Sequence, residues 1–191
     1  MNLHINTTTS ATPTLGWVFQ KINRILAFGF GSGLSQIAPG TAGSLWAWAT
    51  FLIGTLFLER WQCWWIIGIG LVLGCLICGQ VSEELGKKDF GGIVWDEIVS
   101  FWLILLLISP SSIYWQLLAF ALFRFFDAVK PGPIGWIDRY FKTLEGNTSD
   151  TPSSHFEIWW RGFGIVVDDL AAAFFTLIAF ALVQVTLKQF S

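Results

Sequence analysis

The side chains with chemical capacity are few and mostly acidic. Seven of the 13 carboxylates fall into three groups: Asp89, Asp96 and Glu97, then Asp127 and Asp138, then Asp168 and Asp169. The doublets Asp96-Glu97 and Asp168-Asp169 each stand near one end of an apolar stretch, and the same end in both cases. Adjacent residues on a helix point about 100° apart. One acid of each doublet can therefore face a shared site while the other reaches a second ion or a neighbour. Carboxylates at or below a membrane surface are costly unless paired or bound to metal. Oxygen-only donor sets suit Mg²⁺ or Mn²⁺. The competing reading is interface ion pairing with Arg124, Lys130 and Arg139, which is an even match for Asp138 beside Arg139. For the two doublets taken together, metal binding is preferred.

Arg124, Asp127 and Lys130 follow one another at i,i+3 and so share a helix face. In a phosphate site, Arg124 and Lys130 would hold phosphate oxygens and Asp127 would ligate metal; alternatively, the three form a helix end capped by favourable charge. The run GFGSGLSQIAPGTAGS offers backbone N–H groups and the hydroxyls of Ser32, Ser35, Thr41 and Ser44 where an apolar helix begins. A helix N-terminus flanked by small residues suits an anion, although a tight turn or close packing would use the same residues. The run is not a Walker A loop, because no G-K-[S/T] follows. His4 and His155 lie in polar segments, and no Ser-His-Asp or Cys-His pairing is available. Cys75 and Cys78 sit inside an apolar run and read as small packing residues. Phosphate hydrolysis on this chain would need metal-activated water or a carboxylate nucleophile.

These residues must be positioned by apolar elements. Hydrophobic residues make up 54% of the 191 and charged residues only 13%, about half the share in soluble domains. Apolar stretches run over 41–58, 61–81, 93–108, 113–126 and 163–187. The second and fifth exceed the roughly 20 residues of a membrane span, and the first is adequate. The third and fourth are short: either spans ending in a polar vestibule or a re-entrant pair turning at Ser109-Pro110-Ser111-Ser112. Between them lie a Gly/Ser/Pro loop over 24–44 and polar junctions over 82–97 and 124–142. Residues 143–161 read as an exposed loop. Residues 1–23 read as a polar cytoplasmic lead-in without the apolar core of a secretory signal.

Threaded as five spans with the N-terminus inside, the chain puts nine of its 11 basic residues on the inner side and leaves Arg60 and Lys188 outside. That is a positive-inside pattern. Trp61, Trp64, Trp65, Trp115, Trp159 and Trp160 fall near the expected interfaces. The expectation is an all-α, polytopic membrane helical bundle with its charged clusters, and the site, at the cytoplasmic face. A net charge of −2 offers no basic field for nucleic acid.

The stretches GFGSGLSQIAPGTAGS, IVWDE, FRFFDAVKPGPIGWIDR and GFGIVVDDLAA, in that order, resemble the phosphatidylglycerophosphatase A family over nearly all of residues 24–185. The resemblance implies a Mg²⁺-dependent enzyme of the bacterial inner membrane that removes the terminal phosphate of phosphatidylglycerophosphate. Matching positions are Ser32, Gly33, Ser35, Pro39, Gly40 and Thr41; Asp89, Asp96 and Glu97; Asp127, Lys130, Pro131 and Asp138; and Asp168 and Asp169. The implied domain is 24–191, with 143–161 as an exposed insertion in place of a short His-Gly-Gly link. Asp96, Glu97, Asp127, Asp168 and Asp169 are then the expected metal ligands, and with Lys130 the catalytic set. Ser32, Gly33, Ser35, Gly40, Thr41, Arg124, Lys130, Asp138 and Arg139 are the expected substrate contacts. Two rival classes make different demands on the sequence. A transporter or ion-coupled carrier would place acids near the bilayer midplane on more than one side. A CDP-alcohol phosphotransferase would need a D-G-x-x-A-R segment, which the sequence lacks.

Overall fold

The computed structural model describes residues 13–87, 90–145 and 154–189. Among them every regular element is helical: α1 (Leu15–Val18), α2 (Ile22–Ala27), a 3-10 turn (Gly29–Leu34), α3 (Pro39–Gly54), α4 (Arg60–Leu85), α5 (Trp95–Ile108), α6 (Ile113–Val129), α7 (Pro133–Glu145) and α8 (His155–Gln189). The apolar stretches become α3, α4, α5, α6 and α8, and local chemistry sets their ends. Pro39 opens α3, where a missing N–H costs nothing. Glu59 and Gln62 form a reciprocal capping box at the start of α4, and Gly86 closes it with φ 61°. Asp96 and Glu97 occupy the first turn of α5, where the helix dipole favours negative charge.

Helix α5 is the centre of the bundle and packs against α3, α4, α6 and α8. Its Ile98, Phe101, Ile104 and Leu105 are buried, and its indoles reach across to its neighbours. Trp95 Nε1 donates to Gly70 O at 3.0 Å, and Trp102 Nε1 to Ala47 O at 2.8 Å. Helices α4 and α8 approach to backbone contact through glycine. A Cβ on Gly162 would lie 1.7 Å from Cys75 O, and one on Gly79 2.0 Å from Ile158 O. Small residues of this kind let apolar helices pack where lipid gives them no hydrophobic drive to associate. Cys75 and Cys78 are free thiols buried in α4, in keeping with a packing role.

Several junctions depart from the sequence expectation. The loop over 24–44 is largely helical, broken by positive-φ backbone at Phe30 and Gly31 and by the irregular residues 35–38. Lys130 ends α6, and Pro133 then opens α7 inside what reads as a polar junction. Residues 155–161 are not loop: they form the first two turns of α8, capped by Ser154 and Glu157. Nor is the lead-in loose up to residue 23, since Val18 is fully buried and Lys21 and Arg24 both bond Glu84 at 2.7 Å.

Two helices, α4 and α8, are long and apolar enough to cross a membrane. Only 22% of the apolar window of α8 is buried within the protein, so most of it faces outward, unlike the core helix of a soluble domain. Helices α5 and α6, with 14 and 17 residues, reach about 21 and 26 Å at 1.5 Å per residue. That is short of a hydrocarbon core of roughly 30 Å.

Candidate active site

Four helix segments meet at one end of the bundle, and three of them carry the acids expected to act together. Glu97 is on the first turn of α5, Asp127 is near the end of α6, and Asp169 is on α8. Each offers one carboxylate oxygen, and the three oxygens lie within 4.8 Å of one another. The fourth segment, the start of α3, supplies a glycine face. A Cβ on Gly40 would sit 2.0 Å from Glu97 Oε1, and one on Gly43 3.2 Å from Glu97 Oε2. Glycine at these two positions is what lets the carboxylate approach the helix backbone.

Two cations brace the group. Arg124 Nη1 donates to Asp127 Oδ2 at 2.7 Å, to Glu97 Oε1 at 3.2 Å and to Ser44 Oγ at 3.5 Å. The Ser44 hydroxyl itself donates to Gly40 O at 2.9 Å, which fixes its lone pairs toward Arg124. Lys130 pairs with Asp168. It does so from a left-handed backbone, φ 47° and ψ 54°, a conformation side-chain-bearing residues rarely adopt and one that recurs at functional sites.

The ion pairs do not exhaust the acids. Asp96, Asp168 and Asp169 are 7%, 7% and 4% exposed. The buried atoms Asp96 Oδ1, Glu97 Oε2 and Asp169 Oδ2 have no hydrogen-bond partner. Five carboxylates thus face Arg124 and Lys130, an excess of three negative charges if all are ionised. Buried charge without a partner is strongly unfavourable. An oxygen-only set with orphaned lone pairs fits a hard divalent cation such as Mg²⁺. Ion pairing, set against metal binding in the sequence, engages Arg124 and Lys130 and still leaves carboxylate oxygens over.

Of the remaining expected residues, Asp96 lies beside the group, within electrostatic reach of Asp127 and Asp169. Ser32 spends its hydroxyl on Gly29 O at 2.9 Å, inside its own turn. Gly33 is buried where a Cβ would meet Gly92 O at 2.0 Å. Its role there is packing between the 3-10 turn and the segment before α5. Ser35 is exposed and Thr41 half-buried, on either side of the start of α3. Arg139 is exposed on α7. Asp89 and the side chain of Asp138 lie outside the described residues. The glycine contact of Gly43 was not foreseen, although Gly40, Gly43 and Ser44 at i, i+3 and i+4 show a small-residue face in the sequence. Asp168 is also deeper than expected. It lies 13 residues into α8, about 20 Å along the helix.

Fold and site together define an all-helical protein with outward apolar faces around an oxygen-only, metal-competent carboxylate centre. Comparison with known proteins narrows the class. The profile of the family Phosphatidylglycerophosphatase A matches residues 25–150. The chain is 37% identical over 169 residues to Phosphatidylglycerophosphatase A of Haemophilus influenzae, covering 84% of this chain and 87% of the relative. It is 36% identical over 154 residues to Phosphatidylglycerophosphatase A of Escherichia coli, covering 78% and 75%. A Bacteroides thetaiotaomicron protein, provisionally named a phosphatidylinositol-3-phosphatase, is 30% identical over 165 residues, covering 84% and 92%. No solved structure matches. The chain belongs to the phosphatidylglycerophosphatase A family and is an enzyme, a phosphatase.

Proposed function

We propose that this phosphatase removes the terminal phosphate of phosphatidylglycerophosphate, releasing phosphatidylglycerol and inorganic phosphate, with Mg²⁺ held by Glu97, Asp127 and Asp169. The observation that carries the reading is the convergence of these three acids from three helices, with orphaned oxygens on Glu97 and Asp169 and two cations alongside. When bound, the metal would neutralise phosphate charge and make water more acidic. Arg124 orients Glu97 and Asp127 through a single nitrogen. Lys130, held by Asp168 at the rim of the group, stabilises phosphate oxygens as charge redistributes. Asp96 adds negative charge behind the ligands and holds the cation in place.

The site lies on the cytoplasmic side of a multi-pass protein of the inner membrane. Support comes from the nine-to-two distribution of basic residues and from the separation of the two bundle ends. Arg60 Nη1 donates to Ser109 O at 2.9 Å at the end opposite the acids. The shortness of α5 supports a site recessed below the membrane surface, where the headgroup enters while the acyl chains stay in lipid. The transporter reading finds no support, since the described intramembrane acids gather at one end.

The reaction is tested by phosphate release from mixed micelles of three lipids: phosphatidylglycerophosphate, a phosphatidylinositol phosphate and phosphatidic acid. Preference for the first by kcat/KM is the expected result. Preference for the inositol lipid, or no release from any, would refute the assignment.

A further inference from the structure

A second feature lies beside the carboxylate centre and takes no part in it. A cavity of about 310 Å³ runs between α3, α4 and α5. On α5, Trp95, Ile98 and Trp102 line it, while the intervening Asp96 and Glu97 belong to the acidic group. On α3 it begins at Trp46, two residues beyond Ser44, and continues to Gly54, about 12 Å of helix. Its floor is Leu58 and Cys63, toward the far end of the bundle. The slot therefore starts next to the phosphate-handling group and leads away from it along the helix axes.

Its chemistry is one-sided. The single hydroxyl in the lining, on Thr50, donates to Trp46 O at 2.8 Å and accepts from Trp102 Nε1 at 3.1 Å, so it is satisfied within the protein. The surface offered to an occupant is almost entirely apolar. The rim residues Phe30, Trp46 and Ile66 are 52%, 39% and 42% exposed, so the slot opens sideways onto an apolar outer face. An occupant that fits is apolar and elongated and enters from the side, and Trp95 and Ile98 in the lining flank Asp96 and Glu97 in the chain.

We propose that this slot holds one acyl chain of the lipid substrate and so fixes the headgroup relative to Glu97 and Asp127. The inference rests on the lipid-phosphatase reading above. It adds a chain-recognition site to that reading.

Gly54→Phe fills the slot without touching the acidic group. A Cβ on Gly54 meets only Leu58 Cδ1, at 3.7 Å, so the side chain can enter the cavity. The full-length variant is compared with wild type on long-chain phosphatidylglycerophosphate and on its deacylated headgroup. The expected result is a KM for the lipid raised about tenfold, as for losing a couple of buried methylenes, with unchanged kcat/KM on the deacylated compound. An unchanged KM for the lipid, or an equal loss on both substrates, would overturn the proposal. A second measurement reads the slot without turnover. A substrate lipid carrying a diazirine near the end of one chain should label residues 46–67 in wild type, and less so in Gly54→Phe. Labelling confined to the outer faces of α6 and α8, or equal labelling of the slot by a choline-headgroup probe, would overturn it. Failure of the proposed reaction would show separately, as absence of phosphate release by wild type.

Discussion

Lys130 shows how one residue couples backbone to chemistry. Its left-handed conformation ends α6 and turns the ammonium toward Asp168. Glycine adopts that backbone freely, whereas alanine does not. Lys130→Gly keeps that backbone without strain but removes the ion pair with the buried Asp168, so it should melt lower than wild type and lose turnover by about 10²–10³-fold, the scale for one lost transition-state cation or donor. Lys130→Ala should lose the same turnover and melt lower than the glycine variant, by about 1 kcal/mol. Thermal melting in detergent and phosphate release together check both; near-normal turnover in Lys130→Gly would remove the ammonium from the mechanism. Gly40 makes the complementary case. A methyl there would press on Glu97 Oε1 and Arg124 Nη2, and both side chains can shift to relieve it. Gly40→Ala should stay folded yet turn over about 10²-fold more slowly, the cost of a displacement near 1 Å in a catalytic group. Unchanged kinetics would mean that Glu97 need not stand where it does.

At the scale of elements, the crossing of α4 and α8 sets where Asp168 and Asp169 lie. Gly162→Leu would force the two backbones apart at Cys75 and Gly79. It should cost at least the 1–3 kcal/mol or so typical of overpacking, read as a lower melting temperature with loss of activity; a melt like that of wild type would contradict the close crossing. The elements also show what the sequence made legible. The five apolar stretches were readable because a helix in a low-polarity setting needs an unbroken apolar run. Helix α7 was not read, because its apolar residues Ile134, Ile137, Phe141 and Leu144 are diluted by charge. Their i, i+3, i+7, i+10 spacing and Pro133 at the start were nevertheless a helix signal. The start of α8 was likewise marked by Ser154-x-x-Glu157, a capping-box pattern hidden in a Ser/Thr-rich segment. In the site, residue type and order pointed to the acids. Which acids converge depends on the rotation of three helices about their axes, and that is set by tertiary packing. The sequence could thus say that one acid of each doublet faces a shared site, and the fold selects Glu97 and Asp169.

For the whole molecule, two ends of opposite character stand apart: acids and basic residues at one, the Glu59-Arg60 and Ser109–Ser112 turns at the other. In spheroplasts or right-side-out vesicles, Ser112→Cys should react with an impermeant maleimide from outside and Thr143→Cys only after permeabilisation. Labelling of both from the same side would contradict the proposed topology. The native thiols are buried and should contribute little background.

The central claim is that Glu97, Asp127 and Asp169 form a cation-dependent phosphatase centre. Its most direct test is phosphate release from phosphatidylglycerophosphate by the purified full-length protein and by Asp169→Ala, each with Mg²⁺ and with EDTA. The expected result is release by wild type with Mg²⁺, loss of release on chelation with recovery on adding Mg²⁺ back, and little turnover by Asp169→Ala under either condition. Undiminished hydrolysis in EDTA, or near-wild-type turnover by Asp169→Ala, would contradict it.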